Sequence, residues 1–322
     1  MPLIKSTYSA PPIFRNAHFS TIYASSLRKV AFSSSQRDRI KLEDGDFLDL
    51  DRNFSSERAS EKLVILLHGL AGNSRRPYMK AMARIFAEAG WDTAAMNFRG
   101  CSEEMNRLYR SYNAGATEDL EAVIKHILAE KRYTEITLVG FSLGGNLMLK
   151  YLGENSDIPS EIKSAVAVST PCDLGASLEE LSQTRNIIYS KRFVRKLKKE
   201  LFRRHLAFPE KITKEEIAGC KSLRDIDELY TSRAHGYKNA ADYYQKCSSL
   251  QFLPNIQIPT LLINAANDSF LSETCYPVEV AKNSENFYLE IPPYGGHVGF
   301  IQNNKTYYHE ERALEFIQSF SE

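Results

Sequence analysis

The chain has 322 residues, enough to bury a full core either as one large α/β domain carrying an insertion or as two smaller domains. Its 41 Lys and Arg against 40 Asp and Glu leave a net charge of +1, which excludes a global electrostatic argument for nucleic acid or an acidic partner. Five scattered cysteines, Cys101, Cys172, Cys220, Cys247 and Cys275, show no CxxC pair and no metal-ligand spacing, so a reducing compartment is expected.

The beginning, MPLIKSTYSAPPIF, lacks a charged region followed by a long apolar core, and no stretch of about 18 apolar residues occurs anywhere. A soluble, cytoplasmic protein is the expectation. Residues 1–28 are irregular, with Pro11-Pro12 ahead of Ile13, Phe14, His18, Phe19, Ile22 and Tyr23, and read as an arm packed on the body. Ile40 to Leu50, split at Asp44-Gly45, carries a hairpin signal, since that dipeptide suits a tight turn needing positive φ. Leu63 to Leu67 is a continuous apolar run, expected of a strand buried on both faces.

From there helices and strands alternate. A helix is expected over Tyr78 to Glu88, a strand over Asp92 to Phe98, and a helix over Thr117 to Glu130 whose Thr117 suits a capped start. A strand over Ile136 to Phe141, a helix over Asn146 to Leu152 and a strand over Ile162 to Val168 continue the βαβ rhythm of a mostly parallel sheet flanked by helices. Between residues 173 and 250 that rhythm gives way to charged helical stretches, which read as an inserted helical cap. Strands at Pro259 to Asn264 and Phe287 to Ile291 and an amphipathic helix from His309 to Phe320 complete the fold. The core is therefore assigned to residues 29–172 and 251–322.

The chemistry centres on Gly140-Phe141-Ser142-Leu143-Gly144, which follows an apolar strand and precedes a helix. A G-x-S-x-G turn in that context is a nucleophile elbow, where the serine sits at a strained corner and the glycines permit close backbone approach. A serine hydroxyl is a poor nucleophile at neutral pH, so Ser142 needs a base and a carboxylate that orients the base. In a parallel sheet such partners follow later strands. Asp268 follows one and His297 the next, in the order Ser, Asp, His expected for α/β-hydrolases. Asp173 competes for the acid role because it follows the Ala165 to Val168 strand. The oxyanion hole needs two preorganised N–H donors, assigned to the backbones of Leu143, next to the nucleophile, and Leu70, in His68-Gly69-Leu70-Ala71-Gly72.

Together the elbow, the His68-Gly69-Leu70 loop, Asn97-Phe-Arg-Gly-Cys-Ser102, Arg110-Ser-Tyr112, Thr117-Glu-Asp-Leu120 and the early Asn16-Ala-His-Phe-Ser-Thr-Ile22 resemble the YheT-like branch of α/β-hydrolases, AB-hydrolase family 4. The resemblance spans most of the chain and implies a carboxylesterase or lipid-active hydrolase with the triad Ser142, Asp268 and His297. One departure is visible: the early segment usually reads closer to N-G-H-x-Q-T, whereas here it is Asn16-Ala-His-Phe-Ser-Thr21.

Plainer readings stand beside these. His68 is expected to be a hydrogen-bonding strut, and Cys101 a packed thiol rather than a second nucleophile. Lys191 to Arg204 spaces Phe193, Leu197 and Leu201 at i, i+4 and i+8 among basic residues. It fits a cap helix with one buried stripe, or an interfacial helix that meets anionic lipid or an acidic substrate. H-E-x-x-H, G-x-x-x-x-G-K-[ST] and a complete G-x-G-x-x-G are missing, so no metal and no cofactor is implied. The expected activity is ester hydrolysis of a small or medium acyl ester or lipid-like substrate, with acyl transfer by the same residues or a non-catalytic binding role as alternatives.

Overall fold

The computed structural model describes residues 2–55 and 60–321; Met1, Glu322 and residues 56–59, which belong to the expected arm and core segments, lie outside that description. Among the described residues nine strands form one sheet in the order β1-β9-β8-β7-β6-β4-β5-β3-β2. They are β1 (Leu3–Ile4), β2 (Gln36–Lys41), β3 (Phe47–Asn53), β4 (Lys62–Leu67), β5 (Asp92–Asn97), β6 (Glu135–Phe141), β7 (Ile162–Val168), β8 (Thr260–Ile263) and β9 (Phe287–Glu290). All neighbours run parallel except β2 with β3 and β3 with β5. The expected mostly parallel sheet is present, with an antiparallel edge.

The hairpin forms around Gly45, whose φ is +84°, and it runs further than its apolar alternation indicates. Polar β2 is held by cross-strand pairs, Arg37 with Asp51 and Arg39 with Asp49, which replace the hydrophobic pairs that would have announced it. At the other edge the first residues of the arm add β1 beside β9, so the arm contributes a strand as well as packing.

Helices α1 (Ala17–Ile22), α2 (Pro77–Glu88), α3 (Thr117–Ala129) and α4 (Leu143–Glu154) follow in chain order. Two start signals differ from expectation. Thr117 does not cap α3: the N-cap is Ala116, and the Thr117 hydroxyl is turned to Glu154. Helix α4 starts at Leu143 rather than Asn146, because Gly144 and Gly145, poor helix formers, are present for packing. A Cβ on Gly144 would lie 2.6 Å from His68 O, and one on Gly145 2.1 Å from Thr170 Oγ1.

Between β7 and β8 the chain is helical: α5 (Leu174–Ser182), α6 (Ile187–Ala207), α7 (Lys214–Gly219), α8 (Leu223–Ile226), α9 (Ser232–His235) and α10 (Ala240–Cys247). Then come α11 (Val278–Asn283) and α12 (Tyr308–Gln318). Two apolar layers cover the sheet, one containing Leu63, Leu138 and Leu147 and the other Val64, Phe141 and Phe316. A small separate core joins Leu201 of α6 to Ile212, Ile217 and Ile226. This core holds the inserted helices over the carboxyl ends of the strands.

Candidate active site

Ser142 sits between β6 and α4 with φ +52° and ψ −121°, a backbone state that a non-glycine residue adopts only when its surroundings enforce it. Its N–H donates to Val168 O at 2.9 Å, which ties the corner to the neighbouring strand. A Cβ on Gly140 would meet the Gly145 Cα at 2.7 Å, and one on Gly144 would meet the Leu67 carbonyl oxygen at 2.6 Å. Glycine is thus required on both sides of the corner, as the motif demands.

His297 Nε2 lies 3.0 Å from Ser142 Oγ, and His297 Nδ1 lies 2.8 Å from Asp268 Oδ2. With Nδ1 protonated toward the carboxylate, Nε2 is free to accept the serine proton. Asp268 is buried and its Oδ1 accepts from the Phe270 N–H at 3.0 Å, so both oxygens are engaged and the carboxylate is fixed. Asp173, the competing acid, is used elsewhere. It caps α5 by accepting from the Ala176 N–H at 3.1 Å and takes the Thr274 hydroxyl at 3.0 Å.

The loop after β4 is set by side chains distant in sequence. Tyr78 OH accepts from the Gly69 N–H at 3.1 Å and Tyr112 OH from the Ala71 N–H at 2.8 Å. Among the described residues the Leu70 N–H has no partner. Leu70 and Leu143 line one cavity with Ser142 and His297, where an oxyanion hole requires its donors to be. His68 is the strut expected of it: Nδ1 bonds Gly69 O at 2.8 Å and Nε2 accepts from the Phe98 N–H at 3.2 Å. Complete burial pushes its pKa down to about 3, so it stays neutral, with its one ring proton on Nδ1 committed to Gly69 O. The Cys101 thiol, half-buried beside the adjoining cavity, is pushed up to about 12 chiefly by desolvation, which disfavours the thiolate a nucleophile needs.

Sequence reasoning missed the residues that support His297. Thr21, on the arm, accepts from the His297 N–H at 2.9 Å, and the Phe270 ring lies against the imidazole at 4.4 Å between centroids. Tyr189 of α6 packs on Phe270 in turn, 4.8 Å away. No local pattern encodes such contacts; the early Asn16 to Ile22 stretch was the available pointer to Thr21.

The cavity over Ser142 has a volume of about 220 Å³ and mostly apolar walls, including Leu174 and Leu178 of α5 and Phe193 and Leu197 of α6. A second cavity of about 700 Å³ adjoins it across Leu70, Lys196 and Asp227. In the basic run Phe193 and Leu197 face the catalytic cavity and Leu201 the small core, and Arg192 and Lys196 line the same cavity. Among the described residues no helix is long and apolar enough to cross a membrane.

Sheet, elbow and cavity define the chain as an α/β hydrolase, and residues 62–304 match the model of the alpha/beta hydrolase fold family. The chain belongs to that family and is of its esterase and lipase type. It is 33% identical over 306 residues to YheT of Escherichia coli (strain K12), an inferred esterase by name, covering 94% of this chain and 88% of that protein. It is 30% identical to phospholipase ABHD3 of Mus musculus over 88% of this chain and 71% of that one. Among solved structures, the Pyrococcus furiosus esterase Pf2001 superposes with a TM-score of 0.62 at 19% identity, over 89% of this chain and 91% of that one, a likeness of fold. The YheT-like resemblance of the motifs is thus matched over nearly the whole chain.

Proposed function

We propose that the protein is a serine carboxylester hydrolase with the triad Ser142, His297 and Asp268, a reading carried by the 3.0 and 2.8 Å contacts that join the three at a strained corner. His297 Nε2 takes the Ser142 proton as Oγ attacks the ester carbonyl, and Asp268 stabilises the imidazolium. The oxyanion is held by the Leu70 and Leu143 N–H groups. His297 then returns the proton to the leaving alcohol, giving an acyl-enzyme. Water, deprotonated by the same Nε2, attacks the acyl carbon; the bond to Oγ breaks, and His297 returns that proton to Oγ as the acid leaves. An alcohol entering in place of water yields acyl transfer, and product partition with added alcohol separates these outcomes.

The apolar cavity walls and the phospholipase and esterase among the relatives support a small or medium acyl ester or lipid-like substrate. Contact with an anionic lipid surface belongs to the same reading. Ile187 and Ile188 of α6 are exposed beside the basic Lys191 and Arg192, and Phe19 and Ile22 of the arm are exposed as well. The arm is joined to α6 through His18 and Tyr189, whose Nδ1 and OH lie 3.2 Å apart. Co-sedimentation with anionic vesicles should occur at low ionic strength and fall with salt; no sedimentation at low salt would sink the lipid-surface part.

Labelling with a fluorophosphonate tests the hydrolase reading. Native protein should label and Ser142→Ala should not. Folded native protein that stays unlabelled would overturn it.

A further inference from the structure

Three cations line the catalytic cavity without a carboxylate partner. Arg76 precedes α2, Arg192 and Lys196 lie one turn apart on α6, and among the described residues none of them makes an ion pair. Each instead touches neutral oxygens. Arg76 Nη2 donates to Ala71 O at 3.1 Å, Lys196 Nζ donates to the same carbonyl, and Arg192 Nη1 donates to Ser26 Oγ at 3.1 Å. The cations act on one another: burial, then the neighbouring Arg76, hold the Lys196 ammonium below its ordinary range, with Glu200 pulling the other way and Arg192 adding a smaller push in the same direction as Arg76.

The anionic counterweight is weak. Among the described residues Asp227 is the one carboxylate of this cavity wall, and its two oxygens accept from Thr231 Oγ1 at 2.7 Å and Tyr244 OH at 2.8 Å. Burial pushes its pKa up to about 6, so it stays mostly ionised at pH 7, but its charge is already engaged by those two hydroxyl donors. Glu200, on the wall of the adjoining cavity, lies 3.7 Å from Arg203. An apolar cavity whose only concentrated charge is an unpaired cationic group presents to a ligand one place for a chain and one for an anion.

We propose that Arg76, Arg192 and Lys196 form a subsite for an anionic oxyacid group, carboxylate or phosphate, carried by the ester that Ser142 attacks. This rests on the hydrolase reading for the word ester alone; the subsite itself is a matter of binding. Guanidinium and ammonium donors give charge-assisted hydrogen bonds to such a group, and the surrounding apolar wall strengthens them. The anion would displace no existing salt bridge. Because Arg76 and Lys196 share the Ala71 carbonyl, an anion drawn to them lies close to the loop that supplies the Leu70 N–H.

The test compares three esters of matched acyl length in each protein: a neutral one, one with a terminal carboxylate on the acyl chain, and one with a phosphate on a glycerol alcohol. Reading kcat/KM as an anionic-to-neutral ratio within each variant cancels any loss of folded protein. The native ratio should be about tenfold or more for at least one anionic ester, the scale of one charge-assisted contact, and should fall with salt. Preference for the carboxylate ester alone assigns an anionic acyl chain, and preference for the phosphate ester alone a phosphoglyceride. Arg76→Gln, Arg192→Gln and Lys196→Gln should each lower the ratio. A native ratio near one, or a ratio that all three variants leave unchanged, overturns the subsite.

Calorimetry on Ser142→Ala keeps the two readings apart. Hexyl phosphate should bind about tenfold or more tighter than hexan-1-ol, and equal affinity overturns the subsite even where native protein takes the fluorophosphonate label. Tight hexyl phosphate binding by a protein that never labels would overturn the hydrolase reading and leave the subsite in place.

Discussion

Thr21→Val isolates what the arm does for the proposed base. Thr21 is buried, its Oγ1 accepts the His297 N–H at 2.9 Å, and its own proton goes to Ala17 O at 2.7 Å. The packing around this contact is tight. Gly296, next to His297, has φ +55° and a Cβ there would lie 2.5 Å from Ala17 O. Valine keeps the shape of threonine and removes both hydrogen bonds, so the His297 N–H loses its acceptor in a dry place. An orphaned buried donor costs about 1–3 kcal/mol, and that is the expected drop in unfolding free energy by urea titration.

The alternative to bearing that cost is a shift of the His297 loop, and then catalysis records it. A displacement of about 1 Å at a catalytic group lowers the rate on the order of 10²-fold. Loss of kcat on an aryl ester should therefore fall between a few-fold and that limit. Thr21→Ser, which restores the oxygen without the methyl, should recover most of it. Native-like stability and native-like kcat in Thr21→Val would refute the claim that the arm positions the base.

Three further outcomes follow from the same geometry. Asp268→Asn should lower kcat by about 10⁴ because it stabilises the wrong imidazole tautomer, while Asp173→Asn, at a helix cap, should change kcat by only a few-fold; the reverse order would give Asp173 the acid role. Gly144→Ala drives a methyl into the His68 and Leu67 carbonyls, both 2.6 Å from that Cβ, and should leave little soluble folded protein. Acid should destabilise the fold through histidines kept neutral by burial, His68 near a pKa of 3 and His309 well below its ordinary value. Their folded pKa values are depressed, so the unfolded chain takes up protons first as pH falls below its own value. Unfolding free energy should fall from pH 7 to 5 by about 2 kcal/mol for each. Asp227, with its pKa raised to about 6, works in the opposite direction by about 1 kcal/mol. A urea midpoint that is flat or rises toward pH 5 would refute this.

The elbow was legible because its chemistry is local: Gly140 and Gly144 are dictated by backbones only a few residues away or on the next strand. Asp268 and His297 were legible by topology, since strand ends of a parallel sheet gather side chains on one edge. The same local logic misplaced the start of α4, where glycines demanded by packing resemble a loop, and credited Thr117 with a cap when its hydroxyl bonds Glu154. Strand β1 is two residues long, too short to show any period. Thr21, Tyr78, Tyr112 and Phe270 could not be singled out because their roles are contacts across the fold, and nothing in the residues beside them depends on those contacts. The inserted helices announced their type through charge and spacing, yet which residues face Ser142 is fixed by how α6 lies on the sheet.

That placement ties selectivity to catalysis. Ala71, a non-glycine residue at φ +52°, is held by the Tyr112 hydroxyl on its N–H and by Arg76 and Lys196 on its carbonyl. Lys196 is therefore a wall of the substrate cavity and a restraint on the loop carrying the Leu70 N–H. About two turns toward the start of α6, Tyr189 packs on Phe270, which packs on His297. A single helix thus touches the proposed oxyanion loop directly and the proposed base through Phe270. Substitutions on α6 that reshape the cavity should move kcat together with KM, because the surface that selects the substrate also holds in place the groups that act on it. Among the described residues the wall residues Leu174 and Leu178 of α5 make no side-chain hydrogen bond or ring contact to that loop or to His297, so changing them should shift acyl-length preference through KM and leave kcat closer to native.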